Sequence, residues 1–204
     1  MKLVLIGAPG SGKGTLAKGL IKEFNIPSIS TGDLLRENIA QGTELGKTAK
    51  KYMDEGKLVP TELVLGLLKE RLAQDDTKNG YILDGFPRSI EQAELLDQMI
   101  DVDVCLYLDV EKQVILDRIM GRRTCKECGA IYNTNTYSKS TCECGGELFV
   151  RNDDNPETVS NRFDTYTKQT GPVIDFYKNK GILKTVKGQN KAEETLAVAL
   201  EILK

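Results

Sequence analysis

The chain predicts an α/β fold in which a parallel sheet is covered on both faces by helices. Strand-like apolar segments alternate with stretches of helical periodicity along the 204 residues, which favours a three-layer α/β/α arrangement. The first segment, Lys2 to Ile6, is rich in aliphatic and β-branched residues that suit burial on both faces. It leads directly into a glycine-rich loop and a helical pattern, so we expect an anion site at this junction.

The loop after this strand has the residues of a phosphate cradle. Gly7 is followed after four residues by Gly12 and Lys13, which is the spacing of a P-loop. Successive backbone N–H groups, the lysine and the helix N-terminus would all face one anion. A glycine-rich turn with an incidental lysine is the alternative, and the flanking strand and helix argue against it. The predicted ATP-binding residues of this loop are Gly10, Ser11, Gly12, Lys13, Gly14 and Thr15.

One position of the loop departs from the general P-loop pattern. Gly14 stands where Ser or Thr usually supplies a hydroxyl near magnesium, and Thr15 follows at once. We therefore assign that hydroxyl to Thr15.

The next elements continue the alternation. Residues 26–29 form a short apolar strand, and two helical patterns follow, the second ending at Gly56. Pro60 opens another helix. Tyr81 to Leu83 is a short strand that ends at Asp84, and a helix follows it.

The second half of the chain contains an insertion. Val102 to Leu108 is a strand, and helical spacing over residues 111–121 ends at a glycine. Residues 122–151 then lack helical periodicity and are rich in Cys, Gly, Thr, Asn and Tyr, which indicates a small inserted domain. Helical spacing returns at Glu157 with an interruption at Gly171 and Pro172. Strand 182–186 and helix 192–203 close the fold, so we expect five parallel strands.

Composition narrows the class of function. The formal charge of −2 gives no general attraction to nucleic acid, so we expect no nucleic-acid partner. No apolar run approaches the roughly 18 residues that cross a membrane, and the N-terminal segment is a strand rather than a cleavable signal. We expect a cytoplasmic protein without a membrane partner. Histidine is absent, so the chemistry should depend on positioned charge.

Four of the five cysteines lie in the insertion, as Cys-x2-Cys and Cys-x-Cys separated by thirteen residues. Thiolates so grouped suit a tetrahedral structural zinc ion better than disulfides. The second pair has one intervening residue where two are usual, which leaves strained geometry, iron or cobalt as alternatives. Cys105 lies within a strand and is expected to be buried and inert. The predicted metal ligands are Cys125, Cys128, Cys142 and Cys144.

The segment from Asp84 to Arg88 follows the third predicted strand. A carboxylate at the carboxyl end of a strand beside the P-loop strand is suited to hold magnesium through water, and Arg88 would lie near the same phosphates. A hairpin turn at Asp84 and Gly85 is the alternative. The helical pattern that follows, in place of a second alternating strand, argues against it.

The loop GAPGSGKGT, the segment LDGFPRS, the arginine pair 122–123 and the cysteine-bearing insertion occur in an order that closely resembles adenylate kinases. The resemblance covers essentially the whole chain and is to the bacterial form with a long, often zinc-binding lid. It implies a P-loop core of residues 1–29, 60–121 and 159–204. It also implies two mobile inserted segments, an AMP-binding flap of residues 30–59 and a lid of residues 122–158.

The resemblance also implies the activity, namely reversible phosphoryl transfer from Mg-ATP to AMP giving two ADP, by a monomer. The implied catalytic residues are Lys13, Asp84, Arg88, Arg122, Arg151 and Arg162. Beyond the P-loop, the implied ATP contacts are Arg118, Arg122, Ile131, Tyr132 and Asn190. The implied AMP contacts are Thr31, Arg36, Lys57, Leu58, Val59, Gly85, Phe86, Pro87, Arg88, Gln92, Arg151 and Arg162.

Simpler interpretations of several of these residues stay open. Ser89 and Gln92 have the spacing of a capping box, and Ser30 or Thr31 would serve as an N-cap. Arginines near the insertion are often ordinary surface charge. Two other functions also stay open: a kinase for another nucleoside monophosphate, such as UMP or CMP, and a non-enzymatic nucleotide- or zinc-binding interaction module.

Overall fold

The computed structural model describes residues 1–189 and 191–204. Its central sheet has five parallel strands, which confirms the predicted fold class. The strands of the described residues are β1 (Lys2–Gly7), β2 (Ser28–Ser30), β3 (Tyr81–Asp84), β4 (Val104–Asp109), β5 (Arg122–Cys125), β6 (Ile131–Asn133), β7 (Leu148–Phe149) and β8 (Leu183–Lys187). The central sheet has the order β2-β3-β1-β4-β8, and β6-β5-β7 form a separate antiparallel sheet.

Helices connect the parallel strands and cover the sheet. They are α1 (Lys13–Phe24), α2 (Thr31–Gln41), α3 (Glu44–Asp54), α4 (Thr61–Leu72), α5 (Ile90–Met99), α6 (Lys112–Met120), α7 (Pro156–Thr165), α8 (Gly171–Asn179) and α9 (Ala192–Leu203). A π-helical turn, Tyr166–Thr170, joins α7 to α8. No helix of the described ranges is both long and apolar enough to cross a membrane.

Strand β1 shows why the sheet is buried on both faces. Val4 and Ile6 belong to a core cluster shared with α4, α5 and α8, whereas Leu3 and Leu5 belong to a second cluster shared with α1 and α9. Successive side chains of a strand point to opposite faces, so a continuous aliphatic strand fills both layers. The three-layer arrangement follows from this single segment and its neighbours.

The parallel pairing also decides where a site can form. In the register of the sheet, Asp84 lies opposite Leu5 on one side and Ser30 on the other. The carboxyl ends of β1, β2 and β3 therefore meet at one edge, beneath the glycine-rich loop. Ligands of open α/β sheets bind at this edge.

The interrupted helix predicted after residue 157 differs in detail. Asn155 caps α7 by accepting a hydrogen bond from the Thr158 N–H, and the chain stays helical through Gly171 and Pro172. Pro172 has no N–H to donate, and the turn before it widens into the π-helical turn. The irregularity thus precedes the proline rather than breaking the helix there.

Strand boundaries also differ slightly from the prediction. Strand β2 begins at Ser28, two residues later than expected, because Pro27 offers only its carbonyl, which accepts from the Ile82 N–H at 2.9 Å. Strand β4 begins at Val104, after the Asp103 carboxylate accepts the Lys2 N–H at 2.6 Å.

Helices α2 and α3 pack closely at Gly46. The Thr43 hydroxyl accepts from the Gly46 N–H and donates to the Asn38 side-chain oxygen at 2.9 Å, so the α3 N-cap is tied to α2. A Cβ on Gly46 would overlap the Asn38 backbone carbonyl. This contact requires a glycine.

We predict that Gly46→Ala destabilises the protein and that Gly66→Ala does not. Both glycines are helical, but a Cβ on the exposed Gly66 meets no atom within 4 Å. Overpacking costs about 1–3 kcal/mol, whereas Ala in an open helix position gains about 0.5–1 kcal/mol. Urea unfolding of both variants measures the difference. Equal effects of the two substitutions would contradict the close packing of α2 and α3.

Candidate functional site

The glycine-rich loop has the conformation of an anion cradle. Gly10 and Gly12 have φ values of 79° and 103°, which side chains rarely adopt, and a Cβ on Gly10 would overlap Ile119. Helix α1 begins at Lys13, directly after this turn. The loop N–H groups and the positive end of the helix dipole are therefore available to one anion.

The Lys13 ammonium lies within this cradle. Its Nζ donates to the carbonyls of Gly7 at 2.7 Å and Ala8 at 3.0 Å. Burial lowers the pKa of Lys13 to about 8, although the neighbouring Asp84 carboxylate opposes the shift. The positive charge is thus held away from water and beside the loop.

Asp84 lies at the carboxyl end of β3, beneath the loop. Burial raises the pKa of its carboxyl group, while the charges of Lys13 and Arg88 act in the opposite direction. One carboxylate oxygen lies 3.7 Å from the position that a Cβ on Gly14 would take. The nearby Thr15 is exposed, so both an acidic group and a hydroxyl border this end of the loop.

The segment after Asp84 orients Arg88. The Gly85 carbonyl accepts two hydrogen bonds, from the Thr31 hydroxyl at 2.9 Å and from Arg88 Nε at 2.6 Å. The Arg88 N–H donates to Gln92 Oε1 at 2.8 Å. Burial and the nearby Arg162 lower the pKa of Arg88 to about 10. The guanidinium is therefore fixed by its own loop.

Serines, rather than Thr31 or the Gln92 side chain, cap the N-termini of α2 and α5. Ser30 is the N-cap of α2, so the Thr31 hydroxyl is free to bind Gly85. Ser89 caps α5 through the Gln92 N–H, and the Gln92 side chain binds the Arg88 N–H rather than that of Ser89. Gln92 Nε2 makes no hydrogen bond to residues 1–189 or 191–204, and Gln92 also lines the cavity.

The arginines around the insertion are held by a pair of aspartates. Arg122 Nε donates to Asp154 at 2.7 Å, and Arg162 donates to Asp153 at 2.8 Å. The Asp154 side chain is completely buried. Removing one partner of such a buried pair leaves an uncompensated charge. The aspartates thus fix the guanidinium groups, and these arginines are not free surface charges.

Two further arginines have neutral partners. Arg151 donates to the Thr124 hydroxyl at 3.0 Å, and burial lowers its pKa to about 10. Arg118 donates to the carbonyls of Ser11 at 2.9 Å and Gln189 at 3.2 Å, which links α6 to the loop. Neither group has a carboxylate to offset its charge among these contacts.

A single cavity of about 570 Å³ unites these groups. The sequence-predicted residues that line it are Gly10, Ser11, Gly12, Lys13, Gly14, Thr15, Thr31, Arg36, Lys57, Leu58, Val59, Asp84, Gly85, Pro87, Arg88, Gln92, Arg118, Arg122, Ile131, Tyr132, Arg151 and Arg162. Phe86 lies in the core between sheet and helices instead. Asn190 lies outside the described residues.

Some lining residues were not predicted from the sequence. Asp33 pairs with Arg36 at 2.6 Å, and Tyr137 stacks on Tyr132 with ring centroids 4.1 Å apart. Thr165 and Thr170 line the cavity from the π-helical junction. Only the i,i+3 spacing of Asp33 and Arg36 offered a local signal.

The four cysteines of the insertion lie together. Their sulfur atoms are all within 4.8 Å of one another, and three of the distances are 3.4–3.6 Å. Tetrahedral zinc with bonds of about 2.3 Å separates its sulfur ligands by about 3.8 Å, so the cluster fits such an ion. The Tyr132 hydroxyl lies 3.2 Å from Cys142 Sγ.

Cys105 is fully buried in β4, and burial raises the pKa of its thiol, as expected of an inert residue.

Fold and site together define a P-loop nucleotide-binding protein with a cavity that extends well beyond the loop. The family model described as adenylate kinase matches residues 5–182. An adenylate kinase of Thermodesulfovibrio yellowstonii is 54% identical over 95% of this chain and 94% of its own length. An adenylate kinase of Caldicellulosiruptor bescii is 49% identical over 100% of this chain and 99% of its own length. One of a Geobacillus species is 46% identical over 100% of this chain and 98% of its own length. The chain belongs to the adenylate kinase family.

Proposed function

We propose that the protein transfers the terminal phosphoryl group of Mg-ATP to AMP, giving two ADP, and that the residues of this one cavity divide the work. The observation that carries the proposal is the cavity itself, in which the P-loop with Lys13 and the Arg88 segment border the same space. A donor and an acceptor nucleotide can then meet without a covalent enzyme intermediate. Family membership supports the same reaction.

The donor phosphates bind at the loop. The N–H groups of residues 10–15 and the Lys13 ammonium hold them, and Arg118 fastens α6 to the Ser11 carbonyl beside them. Ile131 and Tyr132 lie on the same side of the cavity, on β6. In this proposal they contact the ATP nucleoside.

AMP binds at the other end of the cavity. Arg88 and Arg36 receive its phosphate, and Gln92 offers its amide to the adenine, with residues 57–59 as the wall of the base pocket. Thr31 supports this end by holding the Gly85 carbonyl. The Gln92 side chain can both brace Arg88 through Oε1 and read the base through Nε2.

Transfer itself requires positioned charge. Arg122, Arg151 and Arg162 stabilise the negative charge that spreads over the phosphoryl group in the transition state, while the AMP phosphate acts as nucleophile. Adenylate kinases use Mg²⁺ with ATP, and the ion neutralises part of the phosphate charge. In this proposal Asp84, at the end of β3, would hold the ion through water.

The two inserted segments would exclude water from the reaction. In this proposal residues 30–59 form a flap over AMP and residues 122–158 form a lid over ATP, as the resemblance to adenylate kinases implies. Both segments close before transfer. Arg122 begins β5, Arg151 follows β7 by two residues, and both line the cavity, so lid closure would bring them to the phosphates.

The lid owes its stability to zinc in this proposal. Its three strands comprise nine residues in all, and of their large apolar residues Ile131 is exposed and Leu148 and Phe149 are only partly buried. A zinc ion held by the four cysteines would replace that missing core, as in other small metal-stabilised modules. The sulfur distances support zinc despite the short step from Cys142 to Cys144.

A coupled assay of ADP formation tests the reaction. We expect ADP formation to depend on AMP, with two ADP per ATP, and GMP, CMP and UMP to be poor acceptors. Lys13→Met should lower kcat by about 10²–10³-fold, as expected when a donor to the transition-state charge is removed. Lys18→Met, on the exposed face of the same helix, is the matched control and should retain full activity. ATP consumption without any dependence on AMP would refute the proposal.

Metal removal tests the lid. We expect about one zinc ion per chain, and a chelator or Cys142→Ser should lower both the metal content and the melting temperature. Because a disordered lid admits water, the ratio of free phosphate to ADP should rise when ATP and AMP are both present. Cys105→Ala should retain the metal. Metal-free protein with an unchanged melting curve would exclude a structural zinc site.

A further inference from the structure

Thr170 makes a long-range contact with the AMP end of the cavity. It is the last residue of the π-helical turn, is 6% exposed and lines the cavity. Its hydroxyl donates to the Arg88 carbonyl at 2.8 Å, across 82 residues of sequence. This hydrogen bond joins the junction of α7 and α8 to the loop that carries the arginine.

The contact completes the restraint on the Arg88 backbone. The Arg88 N–H is held by Gln92 Oε1 at 2.8 Å, and its carbonyl is held by Thr170. The side chain is fixed separately, through Nε and the Gly85 carbonyl at 2.6 Å. Both peptide groups around the Arg88 Cα are therefore bonded, so the origin of the long side chain cannot shift freely.

The π-helical turn supplies this geometry. Thr165, just before the turn, donates to the Gly56 carbonyl at 3.0 Å, and Thr170, at its end, donates to Arg88. Thr167, within the turn, is exposed, and its one side-chain hydrogen bond among the described residues is to the Phe163 carbonyl of the preceding helix, at 3.0 Å. The widened turn thus places hydroxyls at its two ends against two different walls of the AMP end, which fits the frequent occurrence of π turns at functional sites.

We propose that Thr170 is a positioning residue that fixes Arg88 for the AMP phosphate. The inference rests on the proposed role of Arg88 in binding AMP and adds to it a residue that touches no phosphate. Thr170 acts through the Arg88 main chain, so its loss should weaken AMP binding and leave the ATP end unchanged.

Thr170→Val tests this with a side chain of the same shape. Loss of one buried hydrogen bond of this kind lowers an equilibrium constant about fivefold. We therefore expect KM for AMP to rise about fivefold. We expect kcat and KM for ATP to stay within twofold of wild type. Thr170→Ser, which keeps the hydroxyl, should restore KM for AMP. Thr167→Val is the matched control from the same turn and should behave as wild type. Assays well below the melting temperature of each variant separate binding from stability.

Arg88→Lys separates a failure of this inference from a failure of the proposed function. We expect Arg88→Lys to raise KM for AMP, and Thr170→Val to add little to it in the double variant, because both changes act on one interaction. If Arg88→Lys raises KM for AMP and Thr170→Val does not, or if Thr170→Val raises both KM values equally, Thr170 has no positioning role. If Arg88→Lys leaves KM for AMP unchanged, the assignment of Arg88 is wrong and the role of Thr170 falls with it.

Discussion

Buried positive charge around one cavity is the constraint on which the rest of this structure depends. Lys13 and a set of arginines surround a space of about 570 Å³, and burial lowers the pKa values of Lys13 to about 8 and of Arg88 and Arg151 to about 10. Holding cations away from water costs free energy unless an anion is near. A polyphosphate entering the cavity relieves this cost, so the same arrangement that strains the free protein favours the bound one.

The fold holds each of these clustered charges in place through contacts within the protein. Strand register brings Asp84 beneath the loop, and Lys13 bonds the carbonyls of Gly7 and Ala8. Asp153 and Asp154 pair with Arg162 and Arg122. Each cation therefore has a place that does not depend on the nucleotide. Such preorganisation is the main source of charge stabilisation in phosphoryl transfer.

Local patterns in the sequence were sufficient to predict much of the fold and of the candidate site. The P-loop and the cysteine cluster depend on residues close together in the chain, and the parallel sheet follows from alternating strands and helices. Contacts across long separations had no such signal, as with Thr31 to Gly85 and Thr170 to Arg88. The capping pattern at Gln92 could not reveal that the cap and the arginine support are divided between backbone and side chain. The family resemblance predicts Phe86 as an AMP contact, and that role stays a prediction. The side chain itself lies in the core.

Proton uptake on ATP binding tests the buried-charge account most directly. Calorimetric titrations at pH 8.5–9 in buffers of different ionisation enthalpy measure it, and the ATP phosphates are fully ionised there. In the protein without ATP, the Lys13 side chain has a pKa of about 8 and is largely neutral at this pH. A neighbouring polyphosphate raises that pKa. We therefore expect protons to be taken up on binding, and ATP affinity to fall as pH rises above 8. Lys13→Met should abolish the uptake. Binding without proton uptake, or uptake that persists in Lys13→Met, would contradict the account.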